Sequence, residues 1–189
     1  MSSTLLARRW FARDAPEVAV DLLGKLLVVG GDDDHASGRI IETEAYTADD
    51  PASHSFNGPT KRNEPMFGPA GHLYVYLSYG IHCCANIVTG GVGDGQAVLI
   101  RAIEPVAGID AMRERRPGRP DRQLADGPGK LCAALGIGLS MNGLDLTGPA
   151  ASIGVFDDGT RPPSDPVVGP RVGISKALDR PWRFRTPER

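Results

Sequence analysis

Apolar positions fall in short runs, each bounded by glycine, proline or Asn/Asp-rich stretches. That pattern predicts short strands and short helices. Asp14-Ala15-Pro16-Glu17 pairs a capping aspartate with a glutamate three residues on, which opens a short helix running to Leu22 and Leu23. Gly24 ends it, and Leu26-Leu27-Val28-Val29 reads as a buried strand. Residues 32–38 read as a turn and 39–46 as an alternating strand. Residues 47–71 are rich in Pro, Gly, Asn and Asp, and a loop that long in a compact domain is functional or disordered. Residues 73–78 and 81–88 form a predicted hairpin around the two-residue loop Tyr79-Gly80. A further strand, 97–103, is closed by Glu104-Pro105. Two short helices follow, 109–115 and 128–135, the second with Pro128 at its start and Gly136 at its end. The basic segment 115–122 between them is expected to be a mobile loop. Three more short strands are predicted at 144–146, 151–156 and 171–174. The fold class is mixed α/β (α+β), one compact domain over residues 1–189 around a largely antiparallel sheet with a protruding β-hairpin.

Composition narrows the function classes. Hydrophobic residues at 41% and charged residues at 23% suit a globular domain and argue against intrinsic disorder. No apolar run approaches the roughly 20 residues of a membrane helix. Three cysteines, with Cys83 and Cys84 adjacent and Cys132 remote, make neither a disulfide framework nor a C-x-x-C zinc site. The four histidines lack paired ligand spacing, so no metal is expected, and no G-x-G-x-x-G, H-E-x-x-H or G-x-S-x-G signature occurs. The reading is a soluble protein of a reducing, cytoplasmic compartment without a cofactor.

Net charge is −2, which excludes binding of nucleic acid by bulk charge alone, yet the charge is segregated. Residues 31–50 carry a local −6, residues 113–122 carry +3 and residues 171–189 carry +4. Of 21 cations 17 are arginine, the type that grips phosphate in a bidentate fork. A solvated basic loop and tail is the equal alternative.

Three constellations carry chemistry. All four tyrosines (Tyr46, Tyr74, Tyr76, Tyr79) lie within 34 residues. Alternation puts Tyr74 and Tyr76 on one strand face and leaves Tyr79 at the hairpin tip. An aromatic tip either folds back onto its own domain or acts as a wedge between stacked bases. Glu42, Glu44 and Tyr46 share a face of their strand. Two carboxylates there suit acid–base work or simply face solvent, and they repel unless a cation intervenes. Asn86 and Arg101 sit inside apolar strand runs. Such an arginine needs an acidic partner, Glu42 or Glu104, or a bound anion. His54 is a loop histidine. Asp126-Gly127-Pro128-Gly129-Lys130 offers backbone N–H groups and a lysine at a helix start, a seat for phosphate.

Arg39-Ile40-Ile41-Glu42-Thr43-Glu44-Ala45-Tyr46, His54, Thr60-Lys61-Arg62-Asn63 and Leu73-Tyr74-Val75-Tyr76-Leu77-Ser78-Tyr79-Gly80 resemble the 3-methyladenine (alkyladenine) DNA glycosylase family. Asn86, Ile100-Arg101-Ala102-Ile103-Glu104-Pro105, Gly127-Pro128-Gly129-Lys130-Leu131-Cys132 and Arg171-Val172-Gly173 extend the resemblance over nearly the whole chain. It implies a monofunctional enzyme that flips alkylated or deaminated purines out of double-stranded DNA and hydrolyses the N-glycosidic bond, without lyase activity or cofactor. By the same resemblance Glu44 is the base that activates water, and Arg101 and the backbone of Val172 help hold that water. Tyr46, His54 and Tyr76 wall the base pocket, Asn86 inspects the minor-groove edge of the base, and Tyr79 is the wedge. Lys130, Arg116 and Arg119 are candidate phosphate contacts. A monomer acting on DNA in the cytoplasm, at the nucleoid in a bacterium, is expected. Two rivals remain open: a non-catalytic minor-groove lesion-binding protein, and a sugar-processing hydrolase using Glu42 and Glu44 about 6.5–7 Å apart.

Overall fold

The structure is a computed structural model that describes residues 3–30, 35–149 and 151–187. Its frame is one nine-stranded sheet in which every recorded pairing is antiparallel. In chain order the elements are β1 (Thr4–Leu5), α1 (Arg8–Phe11), α2 (Ala15–Asp21), β2 (Leu26–Gly30), β3 (His35–Tyr46), β4 (Leu73–Ser78), β5 (His82–Thr89) and β6 (Gln96–Ala107). They continue with α3 (Ile109–Arg115), α4 (Pro128–Leu135), β7 (Ile153–Asp157), β8 (Val167–Gly169) and β9 (Arg183–Arg185). Strand order is β1-β7-β2-β3-β6-β5-β4, with β9 pairing both β3 and β8.

Both faces of the sheet are covered, which explains why its central strands look apolar with isolated polar interruptions. One face carries Leu73, Val75, Ala85, Ile87, Val98 and Ile100 into the main core with the helices. Thr43 on this face is anchored to α2, its hydroxyl donating to the Ala19 carbonyl at 2.8 Å. The opposite face holds a smaller cluster of Met66, Tyr74, Val88 and Ala97, roofed by the segment between β3 and β4. That segment is a chain of turns with one 3-10 turn at Glu64–Phe67.

Several expectations need correction. The hairpin loop has three residues and not two: Ser78 pairs with His82, and Ile81 belongs to the turn, its N–H donating to the Ser78 carbonyl. Tyr79 and Gly80 both have left-handed backbone, at φ 51° and 74°, so the twist of a tight hairpin is retained and one further residue is needed to close it. β6 does not stop at Glu104-Pro105 but runs to Ala107. Its β5 neighbour covers only Gln96–Leu99, so Pro105 lacks no ladder partner on that side, and β3 shifts register beside it. β3 begins at His35, so residues 35–38 of the predicted 32–38 turn are strand, and Asp32, Asp33 and Asp34 lie outside the described residues. Residues 144–146 make a single bridge, His72 to Asp145, in place of a strand. Residues 171–174 are also not a strand, because they are bent around a buried side chain described below. The helices at 109–115 and 128–135 fall where expected.

Gly108, which caps α3, shows how tightly the main core closes. Its φ is 67°, and a Cβ there would lie 2.5 Å from the His35 carbonyl oxygen and 2.8 Å from the Ala36 Cα. Those neighbours are backbone and cannot swing aside. Gly108→Ala is therefore expected to lower unfolding free energy by about 2–4 kcal/mol. Urea denaturation of the two proteins measures it, and equal midpoints would contradict the close approach.

Candidate active site

The site lies on the sheet face opposite the main core, where Tyr46, Tyr74, Tyr76, Cys84, Asn86, Leu99 and Arg101 point together. Register brings them there: Tyr74 is opposite Asn86, Tyr76 opposite Cys84, and Leu99 is shared by Asn86 and Glu44. Beyond the shift beside Pro105, the register between β3 and β6 slips twice more, at Ile41 and at Arg101, leaving each as an extra residue on its strand. Such bulges re-aim side chains. Here they let one guanidinium reach two carboxylates of the neighbouring strand. Arg101 Nε donates to Glu42 Oε1 at 2.8 Å and its Nη1 lies 3.3 Å from Glu44 Oε1. The cation that two same-face carboxylates require is thus Arg101, and its partner is Glu42 and not Glu104. Arg183 also approaches Glu42, at 3.5 Å.

Glu44 has no exposed surface, and two donors and one cation compensate its burial. The Val172 N–H donates to Oε1 at 2.7 Å, the Tyr46 hydroxyl donates to Oε2 at 2.8 Å, and the Arg101 guanidinium is the cation, ion-paired at 3.3 Å. Burial, and then the Glu44 carboxylate, push the Tyr46 phenol far above the ordinary tyrosine range, so it stays a hydroxyl donor.

Above this floor is a cavity of about 480 Å³, within the roughly 300–1,000 Å³ of small-molecule sites. Its walls include Tyr46, Ser53, His54, Met66, Tyr76 and Asn86, and its mouth includes Tyr79, Pro128, Val172 and Ile174. The His54 ring stands edge-on to Tyr76 at 4.5 Å, and Tyr74 stacks on Tyr76 at 5.6 Å. His54 Nδ1 and the Tyr74 hydroxyl are hydrogen-bonded at 2.9 Å. Burial, reinforced by Arg62, holds His54 below the ordinary histidine value, while burial pushes Tyr74 up to about 12. Both are therefore neutral around pH 7. Asn86 is buried and donates to the Tyr74 carbonyl at 3.1 Å. Tyr79 is 88% exposed and Ile81 72%, so the tip aromatic does not fold back onto the domain.

Every other residue assigned to chemistry, pocket or wedge thus borders this one cavity, whereas Glu44 is buried beneath its wall, bonded to the lining residues Tyr46 and Val172. The phosphate candidates do not line it. Lys130 is exposed and paired with Asp126. Arg119 is exposed, and Arg116 donates to the carbonyls of Gln123 and Leu124, which ties down the 115–122 segment. Residues that sequence reasoning left without a role are Arg62, whose guanidinium lies 5.7 Å from the Tyr76 ring centre, and Asp50, which pairs with Arg171. Arg62 stood in a quoted motif. Asp50 had no signal at all. No group of three or more His, Cys, Asp or Glu side chains able to hold a metal occurs among the described residues.

Comparison with known proteins decides the family. Residues 9–189 match methylpurine-DNA glycosylase (MPG). The chain belongs to that family. It is 51% identical over 177 residues to a protein of Nitrosospira multiformis, covering 92% of this chain and 86% of the relative. A protein of Rhodopseudomonas palustris is 52% identical over 180 residues, with 95% and 84% covered, and one of Carboxydothermus hydrogenoformans is 48% identical, with 95% and 94% covered. All three carry the provisional name 3-methyladenine DNA glycosylase. The glycosylase is accordingly a base-excision DNA-repair enzyme that acts on N-glycosyl bonds, and none of its described helices is long and apolar enough to cross a membrane.

The depressed His54 gives a signed pH dependence. An unfolded chain binds a proton at about 6.5, which the folded pocket refuses. Stability is therefore intact above about pH 6.5 and falls as pH drops from there toward the lower folded value. Ring-proton NMR titration should find one histidine titrating below the ordinary value, a signal absent in His54→Gln. The variant should also lose less stability on acidification. Four histidines titrating alike would contradict a sequestered ring.

Proposed function

We propose that the glycosylase extrudes alkylated or deaminated purines, of the 3-methyladenine, hypoxanthine and ethenoadenine class, from double-stranded DNA and hydrolyses the N-glycosidic bond with water activated by Glu44, leaving an abasic site. The observation that carries this reading is a buried carboxylate at the foot of an aromatic cavity open beside an exposed tyrosine.

A base within a duplex is out of reach and must be flipped, at a cost of a few kcal/mol that is smallest for a damaged or mispaired base. Tyr79 at the hairpin tip fills the gap. Tyr46, Tyr76 and His54 then enclose the base. N3- or N7-alkylated purines carry positive charge, which aromatic faces attract, and a neutral His54 adds no repulsion. Asn86 occupies the edge where guanine would bring its N2 amine, and so disfavours undamaged guanine.

As the C1′–N bond breaks, its electron pair leaves with the base and the sugar becomes oxocarbenium-like. Water adds to C1′ and Glu44 takes its proton. The Val172 N–H is already engaged by Glu44, so that residue's hold on the water falls to its carbonyl. Arg101, beside Glu44 and in the cavity wall, orients the carboxylate and favours an approaching phosphate. A cationic base leaves neutral without assistance. Hypoxanthine and ethenoadenine leave only once protonated, and that proton comes from solvent. Among the described residues no lysine borders the cavity, and accordingly no Schiff base and no strand cleavage is proposed. One site on one duplex needs only a monomer.

Base release from duplexes holding one hypoxanthine, ethenoadenine or stable 3-methyladenine analogue, followed by alkali, tests the proposal. Glu44→Gln is expected to lose roughly 10²–10⁴-fold in release while still binding lesion DNA. Tyr79→Ala should weaken that binding by about ten-fold or more, in line with the worth of one stacked ring. Tight lesion binding by the wild type with no release from any duplex would instead establish a lesion-binding protein.

A further inference from the structure

Asp50 and Arg171 form an ion pair in which neither side chain has any exposed surface. Burying two charges is costly unless further bonds satisfy them. Arg171 Nη1 also donates to the Ala45 carbonyl at 3.0 Å, and Asp50 Oδ1 accepts the Ala52 N–H at 2.9 Å. The guanidinium lies between two rings, 4.7 Å from the Tyr46 centre and 5.5 Å from Trp182. Its Nε is buried without a partner. A hydrophobic plug of similar volume would seal the same space, so compactness does not account for the pair.

Its three attachments do. Ala45 stands between Glu44 and Tyr46 on β3. Asp50 opens the turn leading to Ser53 and His54 in the opposite wall. Arg171 immediately precedes Val172, whose N–H is 2.7 Å from Glu44 Oε1. The pair therefore joins the strand bearing the carboxylate, the loop bearing the histidine wall and the loop bearing the amide donor. Arg171 also backs the face of Tyr46 turned away from the cavity, and Tyr46 donates to the other oxygen of Glu44. Both donors that fix the Glu44 carboxylate from outside β6 rest on one guanidinium.

We infer that Arg171, held by Asp50, is a positioning residue for catalysis: it sets the Val172 amide and the Tyr46 hydroxyl on Glu44 and thereby aims the carboxylate at its water. It borders no part of the cavity and touches no substrate. The inference rests on Glu44 being the base. A misplacement of 1 Å in a catalytic group costs on the order of 10²-fold in rate, whereas DNA grip on the proposed reading rests chiefly on the hairpin tip, which the pair does not touch.

The test is single-turnover base release from a hypoxanthine duplex, giving a rate at saturating enzyme and a half-saturating concentration, on protein shown folded by circular dichroism. The double variant Asp50→Asn/Arg171→Gln removes both charges together and so strands neither. Its saturating rate is expected to fall by about 10–100-fold with the half-saturating concentration changed by less than about three-fold. Arg171→Lys keeps the charge opposite Asp50 and should recover part of the rate. Should the double variant not fold, Trp182→Leu, which removes one ring from the stack, replaces it with the same expected split. A folded variant with wild-type saturating rate overturns the inference, as does a loss of rate that merely tracks the unfolded fraction on warming. Wild type that releases no base from any lesion would instead sink the Glu44 reading itself.

Discussion

A carboxylate without solvent can persist in a protein only where donors replace the water it has lost. In this glycosylase that requirement, applied to Glu44, organises half the fold. One donor comes from the next residue on its own face, Tyr46. A compensating charge comes from β6, where the bulge at Arg101 turns an arginine toward two carboxylates at once. The other donor comes from residue 172, 128 positions further along the chain. The C-terminal segment must therefore return across the sheet. It does so by pairing β9 with residues 42–44 of β3, with Arg183 opposite Glu44.

The same constraint separates the two sheet faces by function. The face that packs on the helices is filled mostly with aliphatic side chains. The other face is built from tyrosine, histidine, asparagine and arginine, whose polar atoms satisfy one another: His54 with Tyr74, Asn86 with the Tyr74 carbonyl, Tyr46 with Glu44. The His54–Tyr74 and Tyr46–Glu44 bonds also fix ring planes. What remains toward the cavity is aromatic surface of fixed geometry, suited to a flat, electron-poor ring. Preorganisation of this kind lowers the entropic cost of binding, because the walls are already in place.

The sheet strands and both later helices were legible because period and punctuation agree there: Pro128 starts α4 and Gly136, at φ 73°, ends it. The site was legible through residue types that are costly in strands, above all Arg101 and the Glu42–Glu44 pair, and through the resemblance, which gave each a role. What failed was anything set by distant partners. Residues 171–174 have the composition of a strand, but the Arg171 side chain is drawn inward to Asp50 and the Val172 amide to Glu44, so no ladder can form. Pro105 reads as a stop, yet it lies in a strand because one neighbour ends at Leu99. Asp50 is one acid among several in a polar loop, and only tertiary structure distinguishes it from Asp49, whose carboxylate pairs with Arg180 at the surface.

The arginine richness has a second meaning that sequence alone left balanced. Arg8, Arg13, Arg39, Arg101, Arg113, Arg171, Arg180 and Arg183 each lie within an ion pair, with Asp145, Asp21, Asp158, Glu42, Asp121, Asp50, Asp49 and Glu42. Several of these join segments more than a hundred residues apart, as Arg8 to Asp145 and Arg39 to Asp158 do. A guanidinium suits this because its planar fork bonds two or three acceptors in fixed directions; the Lys25 ammonium makes a similar span to Asp157 and the Thr160 carbonyl. Arg39 reaches the Gly24 carbonyl, Thr160 and Asp158 together. Much of the positive charge is thus consumed inside the fold, in a chain with a fifth of its residues glycine or proline and many loops to anchor. A net charge of −2 then ceases to conflict with a DNA substrate. On the proposed reading, specific grip then rests on the mouth of one cavity and on an aromatic tip, with little left to bulk electrostatics.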